Sequence, residues 1–141
     1  MDGNTILAKS LQQHGVDTLF YLMGGPMCDV QTACYDEGMR LIDVRHEQAA
    51  AMMANAYARM KRRPGVCMAC SGPGSANLVT GVANAWADGA PVVAIGGASA
   101  VRDHGKLSFQ EADQVAMFKP ITRWSERCYD AARIPEYVAA A

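Results

Sequence analysis

An acid placed at the start of an apolar segment is the first candidate for chemistry in this sequence. Glu47 follows Arg45 and His46 and stands directly ahead of an Ala- and Met-rich stretch that runs to Met60. A helix dipole there favours the ionised carboxylate, whereas burial among apolar side chains favours the protonated carboxyl. If burial prevails, Glu47 can hold or donate a proton near neutral pH. The alternative is an acid that only stabilises the first helical turn.

Two other residues with reactive side chains give weaker signals. His46 can act as a base, but a single histidine beside an arginine is more typical of a surface or packing residue. Ser71 has no recognisable His and Asp partners in the sequence, which argues against a serine hydrolase.

Two glycine-containing turns could bring backbone close to a ligand. They are Gly24-Gly25-Pro26 and Ser71-Gly72-Pro73-Gly74. The second turn opens a strand–turn–helix unit, but Asn77 replaces the third glycine of G-x-G-x-x-G, and no acid stands about 20 positions on, so the dinucleotide fingerprint fails. A tight turn with a purely structural role explains the pattern equally well.

The five cysteines do not suggest a disulfide framework, because their number is odd and three sit among core-type neighbours. Cys67 and Cys70 spell C-x-x-C inside the apolar run GVCMAC. Residues three apart on a strand point to opposite faces, so the pair is unsuited to a metal or a disulfide. We expect buried thiols, with Cys70, at the end of the strand, facing a site.

Composition narrows the class of partner. The 141 residues fit one domain, half of them are apolar, 19% are charged and the net charge is −1. Without a basic field, a nucleic acid or an anionic membrane is a poor partner, and a small molecule or another protein is favoured. No apolar run approaches the roughly 20 residues that span a bilayer, and MDGNTILAKS does not resemble a signal peptide, so we expect a cytoplasmic protein.

Alternating elements must position these residues. Nearly continuous apolar strands separated by helical patterns predict an α/β fold: a doubly wound, mostly parallel sheet with helices on both faces. Strands are predicted at 18–23, 39–44, 66–70, 91–97 and 121–126, and helices at 5–13, 29–37, 47–61, 75–87 and from 134 onward, with a polar connection at 98–118. In the third helix we expect the core-facing stripe to be Ala49, Met52, Met53, Ala56, Tyr57 and Met60.

Ligands of open parallel sheets bind beyond the carboxyl ends of the strands. The loops predicted to meet there are 23–26, 45–47, 71–74 and the connection through Gln110. The final IPEYVAAA stops where another strand would be expected, so we expect a sheet truncated before its last strand and a chain that is part of something longer.

Three stretches at consistent spacing resemble the N-terminal, pyrimidine-binding domain of thiamine-diphosphate enzymes. They are RHEQAAAMMANAYAR, RPGVCMACSGPGSANLVTGVANAWADGAPVVAIGG and SFQEADQVAMFKPITRW. The resemblance runs from about residue 3 to the end and is greatest to acetolactate synthase, with 2-hydroxyacyl-CoA lyase, oxalyl-CoA decarboxylase and benzoylformate decarboxylase as relatives. It implies that residues 1–141 form this domain.

The resemblance implies a role for Glu47. In that family the matching glutamate hydrogen-bonds N1′ of the aminopyrimidine and favours the imino tautomer, whose 4′-nitrogen removes the C2 proton of the thiazolium. The resulting ylid attacks a 2-keto acid or an acyl donor. A dry pocket strengthens the hydrogen bond of the acid, which explains why acid and apolar segment stand together.

Other positions match family motifs. The loop Gly24, Gly25 and Pro26 is expected to line the site, and Ser71, Gly72, Pro73, Gly74 and Asn77 match the S-G-P-G-x-x-N turn. Phe109 and Gln110 match a pair that reaches the site from the neighbouring subunit. Cys70 stands where benzoylformate decarboxylase-like enzymes have a catalytic His and acetolactate synthases a small polar residue, so it argues against the former group and leaves the substrate open.

One departure concerns the rest of the cofactor. The family binds diphosphate and Mg²⁺ through a separate domain marked by GDG, which is absent here. The resemblance therefore implies a fragment or one subunit of a split enzyme, inactive alone, with its site between subunits of a dimer or tetramer. A lyase or 2-keto acid decarboxylase on the same scaffold, and a non-catalytic oligomerisation module, are the alternatives, although Glu47 argues against the last. Neither the substrate nor FAD binding can be read from these residues.

Overall fold

A computed structural model describes residues 1–141, apart from the side chain of Pro26. In the described chain, four strands alternate with helices. The strands are β1 (Thr18–Leu22), β2 (Arg40–Asp43), β3 (Gly65–Ala69) and β4 (Val92–Gly96). The α-helices are α1 (Gly3–Gln13), α2 (Cys28–Asp36), α3 (Glu47–Lys61), α4 (Pro73–Asp88), α5 (Gln114–Phe118) and α6 (Ile134–Ala140). None of the described helices is long and apolar enough to cross a membrane.

The strands form one parallel sheet in the order β2-β1-β3-β4. β3 lies inside the sheet and is buried along its whole length. The predicted α/β fold with a parallel sheet is confirmed.

Alternate residues of the strands enter two hydrophobic clusters. Leu19 and Met68 pack with Leu11 of α1 and Val30 of α2. The intervening Phe20 and Cys67 pack with the alanines of α3 and with Leu78 and Val82 of α4. Helices α1 and α2 therefore cover one face of the sheet, and α3 and α4 cover the other.

The buried stripe predicted for α3 is wrong. Ala49, Met53, Ala56 and Met60 are exposed, and Met52 and Tyr57 are only half-buried. The buried residues are Ala50, Ala51, Ala54, Asn55 and Ala58.

Close backbone approach explains the shift of this stripe. A Cβ at Gly81 of α4 would lie 2.4 Å from the Cβ of Ala51, and one at Gly65 of β3 would lie 2.1 Å from the carbonyl oxygen of Ala54. Only small side chains fit such contacts, so methionine is turned toward the outside.

The predicted strand at 121–126 is also wrong. Ile121 ends a short 3₁₀ turn, and the stretch after it has no strand pairing in the described chain. The Thr122 hydroxyl donates to the Phe118 carbonyl at 2.9 Å, and the Ser125 hydroxyl donates to the Val115 carbonyl at 3.0 Å. These local bonds hold the segment against α5 instead of in the sheet.

Candidate functional site

Loops from three strand ends meet at the carboxyl edge of the sheet. A Cβ at Gly24, after β1, would lie 2.9 Å from Sγ of Cys70, after β3. A Cβ at Gly97, after β4, would lie 3.1 Å from the Ser71 nitrogen. The missing side chains at these glycines therefore allow the loops to pack closely together at this edge, and the surface that they form is hereafter called the cleft.

Glu47 is the first residue of α3 and is half-buried at this edge. Its Oε2 accepts a hydrogen bond from Nδ2 of Asn77 at 2.9 Å. Its Oε1 lies beside Gly74, where a Cβ would be 3.3 Å away. Among the side chains that the structure describes, none donates to Oε1, so one carboxylate oxygen is held and the other is available.

The two residues before Glu47 do not join the cleft. The imidazole of His46 caps α3, because its Nδ1 accepts from the backbone N–H of Gln48 at 3.2 Å. Arg45 is exposed and pairs with Asp43. His46 thus has the helix-capping role of a surface residue.

Gln110 brings the polar connection onto the end of β3. Its Oε1 lies 3.4 Å from the Cys70 thiol and 3.3 Å from the Ser71 hydroxyl, both of which can donate to it. Cys70 and Ser71 are buried. In the structure this contact is made within one chain.

The Ser71–Gly74 turn requires glycine at its second position. Gly72 has φ +58°, and a Cβ there would lie 2.4 Å from the carbonyl oxygen of Gln110. The turn is thus shaped by the loop that carries Gln110, in addition to the strand before it.

Several other predicted site residues are peripheral in the structure. Phe109 is 79% exposed, and Pro73 is exposed at the start of α4. A Cβ at Gly25 would meet nothing within 4 Å. The side chain of Pro26 lies outside the described residues.

One residue in this region was not singled out from the sequence. Gln114, the first residue of α5, makes hydrogen bonds to Gly72, Ser75 and Gly97. Only its position five residues after Phe109 in a polar stretch could have drawn attention to it.

Glu111 holds the loop beside Gln110. Its carboxylate accepts from the backbone N–H groups of Gly105 at 2.6 Å and Ser108 at 3.0 Å, and it contacts His104 at 3.0 Å. These interactions, that of Gly105 first, lower its pKa to about 2. The loop is therefore fixed by an ionised side chain at neutral pH.

The buried thiols of Cys34 and Cys67 and the possible metal ligands add no reactive group to the cleft. Desolvation raises the pKa of Cys67 to about 12 and that of Cys34 to about 11, so both are inert thiols of the core. Among the described residues, no group of three or more His, Cys, Asp or Glu side chains could hold a metal ion.

Comparison with known proteins identifies close sequence relatives. A family model described as thiamine pyrophosphate enzyme, N-terminal TPP binding domain, matches residues 1–117. A probable acetolactate synthase large subunit of Methanocaldococcus jannaschii is 41% identical over 141 residues, which are 100% of this chain and 24% of that protein. An acetolactate synthase of Bacillus subtilis is 40% identical over 139 residues, 99% of this chain and 24% of the relative.

A protein with a different name is nearly as similar. A 2-hydroxyacyl-CoA lyase of Arabidopsis thaliana is 36% identical over 139 residues, again 99% of this chain and 24% of the relative. The chain therefore spans about a quarter of the length of these curated relatives.

Proposed function

The chain belongs to the thiamine pyrophosphate enzymes, as their N-terminal binding domain, and we propose that its Glu47 binds and activates the aminopyrimidine of thiamine pyrophosphate (thiamine diphosphate). The position of the Glu47 carboxylate supports this proposal. It lies at the carboxyl edge of the sheet, where Oε2 accepts a hydrogen bond from Asn77 and Oε1 lies beside Gly74. This is the geometry of an oriented hydrogen-bond acceptor.

The residues around Glu47 fit such a ring. Gly74 leaves space next to Oε1, because a Cβ there would lie 3.3 Å from that oxygen. A ring nitrogen that shares a proton needs an acceptor of this kind. Cys70 and Ser71 on the same edge are buried, whereas Glu47 is half-buried, so its carboxylate lies between the buried strand end and the surface.

Each nearby residue has a distinct task in this proposal. Glu47 holds the proton that it shares with the ring nitrogen, and Asn77 keeps the carboxylate oriented toward Gly74. Gln110, Cys70 and Ser71 line the neighbouring part of the cleft. When bound, the cofactor supplies a carbon nucleophile and an electron sink for chemistry next to a carbonyl.

The remaining part of the cofactor needs a second domain. The sequence contains no Gly-Asp-Gly, and the described residues offer no cluster of metal ligands. We therefore propose that Mg²⁺ and the diphosphate bind to a domain outside this chain. Whether FAD is also bound depends on those regions too.

For the whole protein we propose an acetolactate synthase-like lyase or transferase that acts on 2-keto acids. Relatives named acetolactate synthase at 40 and 41% identity support this reading. The 2-hydroxyacyl-CoA lyase at 36% identity supports the second candidate, cleavage of an acyl-CoA substrate on the same scaffold.

We also propose that the site is completed by a second copy in a dimer or tetramer. The loop that carries Gln110 exposes Leu107 and Phe109 next to the cleft. Exposed apolar side chains beside a polar site are typical of a surface that another protein covers.

Turnover by the full-length protein tests the function. With thiamine pyrophosphate and Mg²⁺ it should release CO₂ from pyruvate, and omission of the cofactor should abolish the release. Cleavage of 2-hydroxyacyl-CoA without pyruvate turnover would favour the second candidate. The 141-residue chain alone is the matched control and should be inactive.

One result would contradict both enzymatic readings. If the intact protein, loaded with cofactor and Mg²⁺, turned over none of several 2-keto acids and acyl-CoA donors, a non-catalytic oligomerisation module would be favoured.

A further inference from the structure

One neutral side chain joins the segment after β3 to the segment after β4. The Oε1 of Gln114 accepts from the Gly72 N–H at 3.2 Å, and its Nε2 donates to the Gly97 carbonyl at 2.7 Å and to the Ser75 hydroxyl at 2.9 Å. These partners belong to the turn after β3, the end of β4 and the first turn of α4. A single amide therefore ties the start of α4 and the turn before it to the end of β4, which is distant from them in the sequence.

The chemistry of its partners fixes the orientation of this amide. The Gly72 N–H can only donate and the Gly97 carbonyl can only accept, so exchanging Oε1 and Nε2 would place like groups together. Both ends of the side chain are thus specified, and a glutamate of the same size would present an acceptor to an acceptor at Gly97.

The partners of Gln114 lead to the residues of the proposed site. Ser75 is fully buried, and its hydroxyl donates to the Cys70 carbonyl at 2.8 Å. Gly74, which borders Oε1 of Glu47, lies between Gly72 and Ser75. The position of the Gln114 amide therefore determines where the start of α4 lies relative to Glu47.

Close packing leaves this arrangement little freedom. A Cβ at Gly96 would lie 2.4 Å from the Ser75 hydroxyl and 2.8 Å from Nε2 of Gln114. The amide is held against backbone on one side and a buried hydroxyl on the other, so loss of one hydrogen bond is not easily replaced by water.

We propose that Gln114 is a positioning residue, which locks the Ser71–Gly74 turn onto the end of β4 and thereby holds Gly74 and Asn77 in place against Glu47. This role rests on the proposed function, because the geometry that it protects is that of the aminopyrimidine site. Gln114 itself does not touch Glu47 and acts through the turn.

The experiment uses the full-length protein with Gln114→Glu, Gln114→Met and the control Gln13→Met, at an exposed position of α1. Thiamine pyrophosphate affinity is measured by calorimetry with Mg²⁺ between about pH 4.5 and pH 8, a range that approaches the ordinary pKa of glutamate. At pH 8 we expect the Kd to rise about tenfold in both Gln114 variants, because the part-buried donor to Gly97 is lost. The control should retain the parent affinity.

The pH dependence distinguishes hydrogen bonding from space filling. A protonated glutamate can donate to the Gly97 carbonyl while its other oxygen accepts from Gly72, so Gln114→Glu should begin to recover affinity as the pH falls toward the ordinary glutamate pKa of about 4.3, whereas Gln114→Met should not. The groups of α4 and β4 that contact the Gln114 side chain, the Ser75 hydroxyl and the Gly97 carbonyl, carry no charge and do not titrate in this pH range. On its own segment, Asp113 caps the Ala116 N–H and Glu111 is bound by Gly105 and Ser108.

Hydrogen–deuterium exchange of the cofactor-free protein gives a second readout. The Gly72 amide should exchange faster in Gln114→Met, which lacks the acceptor, but should stay protected in Gln114→Glu. If Gln114→Glu does not fold, the affinity of Gln114→Met and the exchange rate of its Gly72 backbone amide still test the proposal.

Different results would overturn the proposed function and the positioning role of Gln114. A parent protein that binds no thiamine pyrophosphate overturns the proposed function. A parent that binds it, with Gln114 variants of equal affinity at every pH and an unchanged Gly72 amide, overturns the positioning role alone.

Discussion

Asn77 donates its side-chain N–H to Oε2 of Glu47 across the gap between α4 and α3. The contact leaves Oε1 as the oxygen that faces the cleft beside Gly74. A hydrogen bond to a charged group does more than add stability here, because it selects one orientation of the carboxylate.

We predict that Asn77→Ala slows exchange of the cofactor C2 proton about fivefold in the full-length protein, which corresponds to the loss of about 1 kcal/mol from one hydrogen bond. Proton NMR of the bound cofactor measures the rate. Asn84→Ala, an exposed change on the same helix that removes a bond to Asp88, is the control. Equal rates in both variants would show that Asn77 does not orient Glu47.

For single residues, the sequence alone predicts some functional roles but not those that depend on contacts between distant segments. Glu47 could be singled out because an acid at the start of an apolar helix is locally conspicuous. Gln114 could not, because its three partners are set by the meeting of loops after β3 and β4. The bond between Asn77 and Glu47 likewise depends on how α4 lies on α3.

Contact between helices α3 and α4 is set by small residues. Gly81 faces the backbone of Ala51 and Met52, and a Cβ there would lie 2.4 Å from the Ala51 methyl carbon and 3.0 Å from the Met52 nitrogen. The helix that begins with Glu47 is thereby held close to the helix that carries Asn77.

We predict that Gly81→Ala lowers the free energy of unfolding by up to about 2 kcal/mol, since an overpacking cost of about 1–3 kcal/mol at α3 outweighs the gain in helix propensity of about 1 kcal/mol. Urea denaturation measures the change. Thr80→Ala, at an exposed position of the same helix, should not destabilise the chain and should raise its stability by about 0.5 kcal/mol through helix propensity. A Gly81→Ala chain as stable as the parent would mean that the helices separate freely.

The loop from His104 to Glu111 gives a prediction about pH. The pKa of Glu111 is lowered from an ordinary value of 4.5 to about 2, chiefly by the N–H of Gly105 and then by Ser108 and His104. A depressed pKa stabilises the folded state above pH 4.5, and this contribution is lost as the pH falls toward 2.

Glu111→Gln should therefore melt at a lower temperature than the parent at pH 6, with a difference that narrows steadily between pH 4.5 and pH 2. Circular dichroism at several pH values measures the two midpoints. Glu136→Gln, which removes an exposed partner of Arg133, is the control for loss of a surface carboxylate. A difference that is independent of pH would contradict the account of Glu111.

At the level of elements, continuous apolar runs predicted four strands within two residues of their bounds. Predictions from the local sequence pattern were wrong where contacts with other elements determine the structure. The stretch 121–126 has strand-like residues but is held by Thr122 and Ser125 to nearby carbonyls. On α3, apolar size predicted buried methionines, whereas the close contacts with Gly81 of α4 and Gly65 of β3 are made by the small Ala51 and Ala54.

At the scale of the whole molecule, we propose that the chain supplies one side of a site. It spans about a quarter of its curated relatives and carries the proposed pyrimidine contacts without a cluster of metal ligands among its described residues. We expect activity only where these contacts meet the diphosphate-binding part.

Exchange of the C2 proton of thiamine pyrophosphate in the full-length protein tests the role of Glu47 most directly. With Mg²⁺ bound, Glu47→Gln should slow the exchange about 100-fold or more, because an amide cannot share the proton of the ring nitrogen. Glu126→Gln, at an exposed position outside the cleft, should exchange at the parent rate. An unchanged rate in a folded, cofactor-bound Glu47→Gln protein would contradict the assignment.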